Sequence, residues 1–153
     1  MKILLSVFLL SFFLTPAFAG QEYYIEEVCG GGFTGGSSGI RIHRDGRIFD
    51  MRQNSYDMPA EELFIGRDAD AAARLFALAE SNGFLATRLD RHENWTCSIT
   101  YRSPAKKHRV QCGGSCANAP GPVAELSDEL NKLNRKIRNI KSPGLDRGRF
   151  ISN

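Results

Sequence analysis

Hydrophobic and polar positions alternate along much of this chain with the periods of strands and helices. Tyr23-Tyr24-Ile25-Glu26-Glu27-Val28-Cys29 is rich in strand-favouring residues and runs into glycines, which predicts a first strand. Ile40 to Arg44 and Arg47 to Met51 flank Asp45-Gly46 and predict a hairpin with a two-residue type I′ turn. That register sets Ile42 opposite Phe49, Ile40 opposite Met51, Arg41 opposite Asp50 and His43 opposite Ile48. Gln53 to Arg67, with Pro59, reads as irregular. Asp68 or Asp70 then caps a helix through about Ser81, with Leu75, Phe76, Leu78 and Ala79 on its apolar face and Gly83 at its stop. Asn94 to Arg102 alternates Trp95, Cys97, Ile99 and Tyr101 against Thr96, Ser98 and Thr100, and His108 to Cys112 returns from a turn at Ser103-Pro104-Ala105-Lys106. Pro122 opens a final helix whose Val123, Leu126, Leu130, Leu133, Ile137 and Ile140 form one apolar stripe.

Five strands in hairpins, one intervening helix and one C-terminal helix make an α+β fold, a small antiparallel sheet with the helices packed on it. The expected organisation is a signal peptide over 1–19, a single domain over 20–140 and a flexible basic tail over 141–153. The signal reading rests on Lys2, the apolar run Ile3–Leu14 and the small-x-small ending Ala17-Phe18-Ala19, with cleavage after Ala19. The run is too short for a spanning helix, which needs roughly 20 residues, and no later stretch predicts a membrane span. A secreted or periplasmic address follows.

Export changes the meaning of Cys29, Cys97, Cys112 and Cys116, because disulfides persist in that compartment. A turn about Pro104-Ala105 sets Cys97 opposite Cys112, which favours that bond and leaves Cys29 with Cys116. The alternative closes Cys112–Cys116 and leaves Cys29 with Cys97. No metal site is expected, since His43, His92 and His108 are scattered. The net charge of +3 is too small to indicate nucleic acid.

Several motif matches fail on context. Gly30-Gly31-Gly32-Phe33-Thr34-Gly35 fits GxGxxG, but a strand follows it where a dinucleotide site needs a helix, so no cofactor is expected. Gly35-Gly36-Ser37-Ser38-Gly39 fits GxSxG without the strand–turn–helix of a nucleophile elbow. Glu26 and Glu27 are strand neighbours that point to opposite faces and make poor acid/base partners. No catalytic residue is assigned, and the chain reads as no enzyme. Asn94-Trp95-Thr96 is a glycosylation sequon, meaningful only in a eukaryotic secretory pathway.

The Gly31-Gly32-Phe33-Thr34-Gly35 loop after a first strand, the early hairpin and helix, the Asn94–Tyr101 strand, the returning His108-Arg109-Val110 and the Pro122…Leu133 helix together resemble emfourin-type domains. These are small bacterial proteins whose namesake inhibits a thermolysin-like zinc metalloprotease. The resemblance spans roughly Tyr23 to Leu133. This chain differs from it in its cysteines, its signal, its Cys112–Gly121 insertion and its longer Met51–Arg67 segment. The resemblance implies a partner site at Gly31, Gly32, Phe33, Thr34, Gly35 and Gly36, and a secreted or periplasmic metalloprotease as partner. On that reading Phe33 is an apolar anchor and glycine backbone approaches the partner closely. The competing and preferred expectation tucks Phe33 into the domain's own core, with the glycines making a tight turn. The alternative function is an exported structural or interaction protein without catalytic activity.

Overall fold

A computed structural model describes residues 22–33 and 35–141. The signal peptide, all of the basic tail beyond Lys141, and Thr34 lie outside the described residues. The strands are β1 (Tyr24–Gly31), β2 (Ser37–His43), β3 (Arg47–Gln53), β4 (Glu61–Arg67), β5 (Trp95–Arg102) and β6 (Lys107–Gly113). They form one antiparallel sheet in the order β4-β3-β2-β1-β5-β6. The helices α1 (Ala69–Ser81) and α2 (Gly121–Lys141) complete the expected α+β architecture.

Both helices cover one face. Ile25, Ile40, Ile42, Ile48, Ile99 and Val110 point into them and meet Phe76, Leu126 and Leu130, all buried. Asp68 caps α1 by accepting from the Ala71 amide at 2.9 Å, and it also accepts from Lys136 Nζ at 2.9 Å, tying the two helices together. Near the other end of α1, Glu80 accepts from Tyr23, Tyr101 and Arg44 at 2.7–2.9 Å. The Tyr23 hydroxyl leads in holding the Glu80 carboxyl below its usual range. No helix of the described residues covers the opposite face; Tyr24, His43, Phe49 and Phe64 form an aromatic row across it, with the Arg41 guanidinium 4.2 Å above Tyr24.

The second hairpin has the predicted register, with Cys97 opposite Cys112, Ile99 opposite Val110 and Tyr101 opposite His108. The first does not. Ile42 pairs with Ile48 and Arg41 with Phe49, one residue away from the two-residue turn expected. The connection is the three residues Arg44-Asp45-Gly46, with Gly46 at φ 89° donating to the His43 carbonyl at 2.9 Å. This register buries Ile48 beside Ile40 and Ile42 and sends Phe49 to the open face. Gly46 also accepts from the Asp68 amide at 2.9 Å, and a Cβ there would strike Ala69, so the turn docks on the start of α1.

Two further corrections follow. The segment read as irregular contains β4, whose exposed edge position removes the burial pattern that marks a strand. The disulfides are Cys29–Cys97 and Cys112–Cys116, not the preferred Cys97–Cys112 with Cys29–Cys116. Cys97 lies opposite Cys29 on one side and Cys112 on the other. Its amide donates toward the β6 side, to Gly114 at 3.0 Å. The β1 side is therefore the close, non-hydrogen-bonded pairing, and the Cys29 and Cys97 Cα atoms stand 3.9 Å apart.

Candidate functional site

The Gly31–Gly36 loop is the β1–β2 connection, at the end of the sheet where β3 leaves for β4 and β5 begins. Its base is closed by the Gly31 amide donating to Gly36 at 3.1 Å and the Gly35 amide donating to Gly32 at 3.4 Å. The Gly32 amide donates to the Asn94 carbonyl at 2.6 Å, which fastens the loop to the start of β5. Two residues before Gly31, the Cys29–Cys97 bond fixes the same two strands. Gly35 sits at φ 67° beneath the Tyr56 ring, and a Cβ there would fall inside that ring.

Phe33 is fully exposed at the tip, so the expectation that it fills the core is overturned. The loop that carries Phe33 begins beyond Gly31, where β1 ends, and turns back to Ser37, where β2 starts. Of the loop residues singled out from sequence, Gly31, Gly32, Gly35 and Gly36 form the pinned base and Phe33 the apex. Sequence reading missed the aromatic flanks. Tyr56, from the β3–β4 connection, lies against Gly35 and is 71% exposed; Trp95, opposite Gly31, is 49% exposed. Met58 of the same connection is also half exposed. Phe33, Tyr56 and Trp95 thus put three exposed aromatic side chains on or beside one glycine loop, where isolated apolar residues are the norm.

Beside the loop, on the helix-free face, lies a cleft of about 410 Å³ whose lining includes Tyr56, Gln53, Glu93, Ser98, Arg109 and Gln111. Arg109 donates to the Ser98 hydroxyl at 3.2 Å. The Thr96 hydroxyl accepts from the Glu93 amide and donates to the Glu93 carbonyl, holding the turn that precedes β5. Ser37 and His92 also line the cleft, but no hydrogen bond joins them, and His92 pairs with Asp90 at 2.8 Å. The arrangement suits contact with a partner: apolar anchors at the apex and neutral or charged hydrogen-bonding groups at the foot.

Among the described residues, no cluster of His, Cys, Asp and Glu is placed to hold a metal ion. No described helix is long and apolar enough to cross a membrane, and two disulfides are compatible with an extracellular or periplasmic protein. No family model matches the chain, and no curated protein matches it.

Proposed function

We propose that this is an exported binding protein, without catalytic activity, that seats the Gly31–Gly36 loop in a partner's cleft. The observation that carries the reading is Phe33, fully exposed on a loop pinned at Gly31, Gly32 and Gly36 and tethered near its base by a disulfide. A pinned loop loses little freedom on docking, so more of the apolar contact appears as affinity. The resemblance to emfourin-type domains supports a thermolysin-like metalloprotease as the partner, occluded at its cleft without covalent chemistry.

Inhibition of thermolysin-like proteases tests this directly. Phe33→Ala is expected to weaken inhibition by roughly 30-fold, the scale of a hot-spot side chain. A Gly32→Val/Gly35→Val pair is expected to do more, because Gly35 cannot take a Cβ under Tyr56 without displacing one of them. Equal potency of all three proteins would remove the loop from the mechanism. Absence of inhibition at micromolar protein would remove the protease and leave an exported interaction protein with another partner. That alternative draws on the polar cleft, and predicts a pulled-down partner retained by Phe33→Ala and lost with Arg109→Glu.

A further inference from the structure

The two edges of the sheet differ. At the β6 edge the chain closes the ladder itself: the Gln111 amide donates to Leu89 at 2.9 Å and the Arg91 amide donates to Gln111 at 3.0 Å. At the other edge, among the described residues, β4 pairs only with β3. Natural sheets blunt such an edge with lysine, proline or inward-pointing charge. β4 has charge at its ends and a register irregularity at Ile65, yet between them it exposes Leu63 at 59% and Phe64 at 53%. Its register shift leaves Ile65 as an extra residue between Phe64, opposite Phe49, and Gly66, opposite Ile48, so Glu61 to Phe64 pair regularly with β3 and the irregularity falls beside Phe64.

The sequence of β4 is complementary to itself. Glu61 and Glu62 stand at one end, Leu63-Phe64-Ile65 in the middle and Arg67 at the other end, with both glutamates and the arginine exposed. We infer that the β4 edge pairs with β4 of a second copy, antiparallel about a twofold axis at Phe64. Such an interface is isologous: about that axis each Glu61 stands opposite Arg67 of the other copy, while Glu62 accepts from Arg41 of its own chain. Phe64 faces its own copy at the axis. The aromatic row Tyr24–His43–Phe49–Phe64 ends at this edge, with Phe49 and Phe64 centroids 5.7 Å apart. Pairing continues the row into the second copy and covers the two large apolar side chains that β4 leaves in water. One strand pair is a small interface, so the dimer is expected to be reversible and salt-sensitive.

Sedimentation velocity of the purified protein from roughly 5 to 500 µM, where a small interface dissociates, tests the pairing. The expected result is a concentration-dependent dimer whose dissociation constant rises about tenfold or more in Phe64→Lys, which sets like charges opposite each other. Because Phe64 is half exposed, that variant is expected to keep its melting temperature. Arg67→Glu is expected to weaken the dimer, and the swapped variant Glu61→Lys/Arg67→Glu to restore it, with the Arg41–Glu62 pair left intact. A monomer across the whole range, or a dimer indifferent to Phe64→Lys, would overturn the proposal. Failure of the folded swap variant to restore dimerisation would overturn the antiparallel register. None of these readouts involves a protease, so they stand or fall apart from the loop's function.

Discussion

Glu27 is a carboxyl at a position where strand alternation calls for an apolar side chain. It is 6% exposed beneath α2, accepts from the Ser127 hydroxyl at 2.6 Å and from Asn131 at 3.4 Å, and has no salt-bridge partner among the described residues. Its neighbour Glu26 points to the other face and pairs with Arg41 at 2.8 Å, the division of faces expected from a strand. Burial pushes the Glu27 carboxyl up to about 7, with the Asp128 charge adding to the rise and the Ser127 hydrogen bond opposing it. A folded-state value above the unfolded one means the folded chain holds the proton more tightly. The contribution to stability is therefore full below about pH 4.5 and is lost as the pH rises to about 7. The loss is on the order of 3 kcal/mol. Glu27→Gln keeps an acceptor for Ser127 and removes the charge. It should raise the urea midpoint at pH 8 while changing it little at pH 4. An equal difference between variant and parent at both values would show that Glu27 does not titrate in this way.

At the scale of elements, the two disulfides differ in what they constrain. Cys29–Cys97 closes a sequence separation of 68 residues and Cys112–Cys116 one of 4. In the chain-entropy description the first contributes about 4 kcal/mol and the second about 2. Cys29→Ala/Cys97→Ala should therefore lower the melting temperature more than Cys112→Ala/Cys116→Ala, and it alone should also weaken whatever the Gly31–Gly36 loop binds. The same cysteines mark the limit of what local pattern reveals. The β5–β6 register was legible because Cys97, Ile99 and Tyr101 alternate against one short turn. The β1–β5 pairing joins residues far apart in sequence, and no local pattern announces that Cys97 has a closer neighbour in Cys29. In the first hairpin Asp45-Gly46 marked the turn, but whether it held two residues or three was decided by the need to bury Ile48 under the helices. The β4 strand left no alternation to read, since an edge strand with one neighbour exposes Leu63 and Phe64 alike. The glycine loop itself was legible from composition. The exposure of Phe33, and the arrival of Tyr56 and Trp95 beside it, depended on which strand ends share one end of the sheet.

At the scale of the whole molecule, the core, the loop and the open edge occupy separate surfaces. The helices bury one face, the glycine loop lies at one end of the sheet and β4 runs along its side. The β3–β4 connection sits at the same end as the loop, so an antiparallel β4 pair points the two loops in opposite directions. Such a dimer is a two-ended binder whose sites do not obstruct each other. If the loop takes a protease and the edge takes a second copy, light scattering of the saturated complex should give two copies of this chain with two proteases. Phe64→Lys should give one of each, with inhibition of soluble protease unchanged, because the loop and its disulfide tether are untouched. Phe33→Ala should remain a dimer and fail to recruit protease. A one-to-one complex for the parent protein at concentrations where it sediments as a dimer would show that the partner competes for β4. The functional surface would then extend from the loop to the edge strand. A two-to-two complex that survives Phe64→Lys would place the contact between copies elsewhere, with the partner itself holding the assembly together.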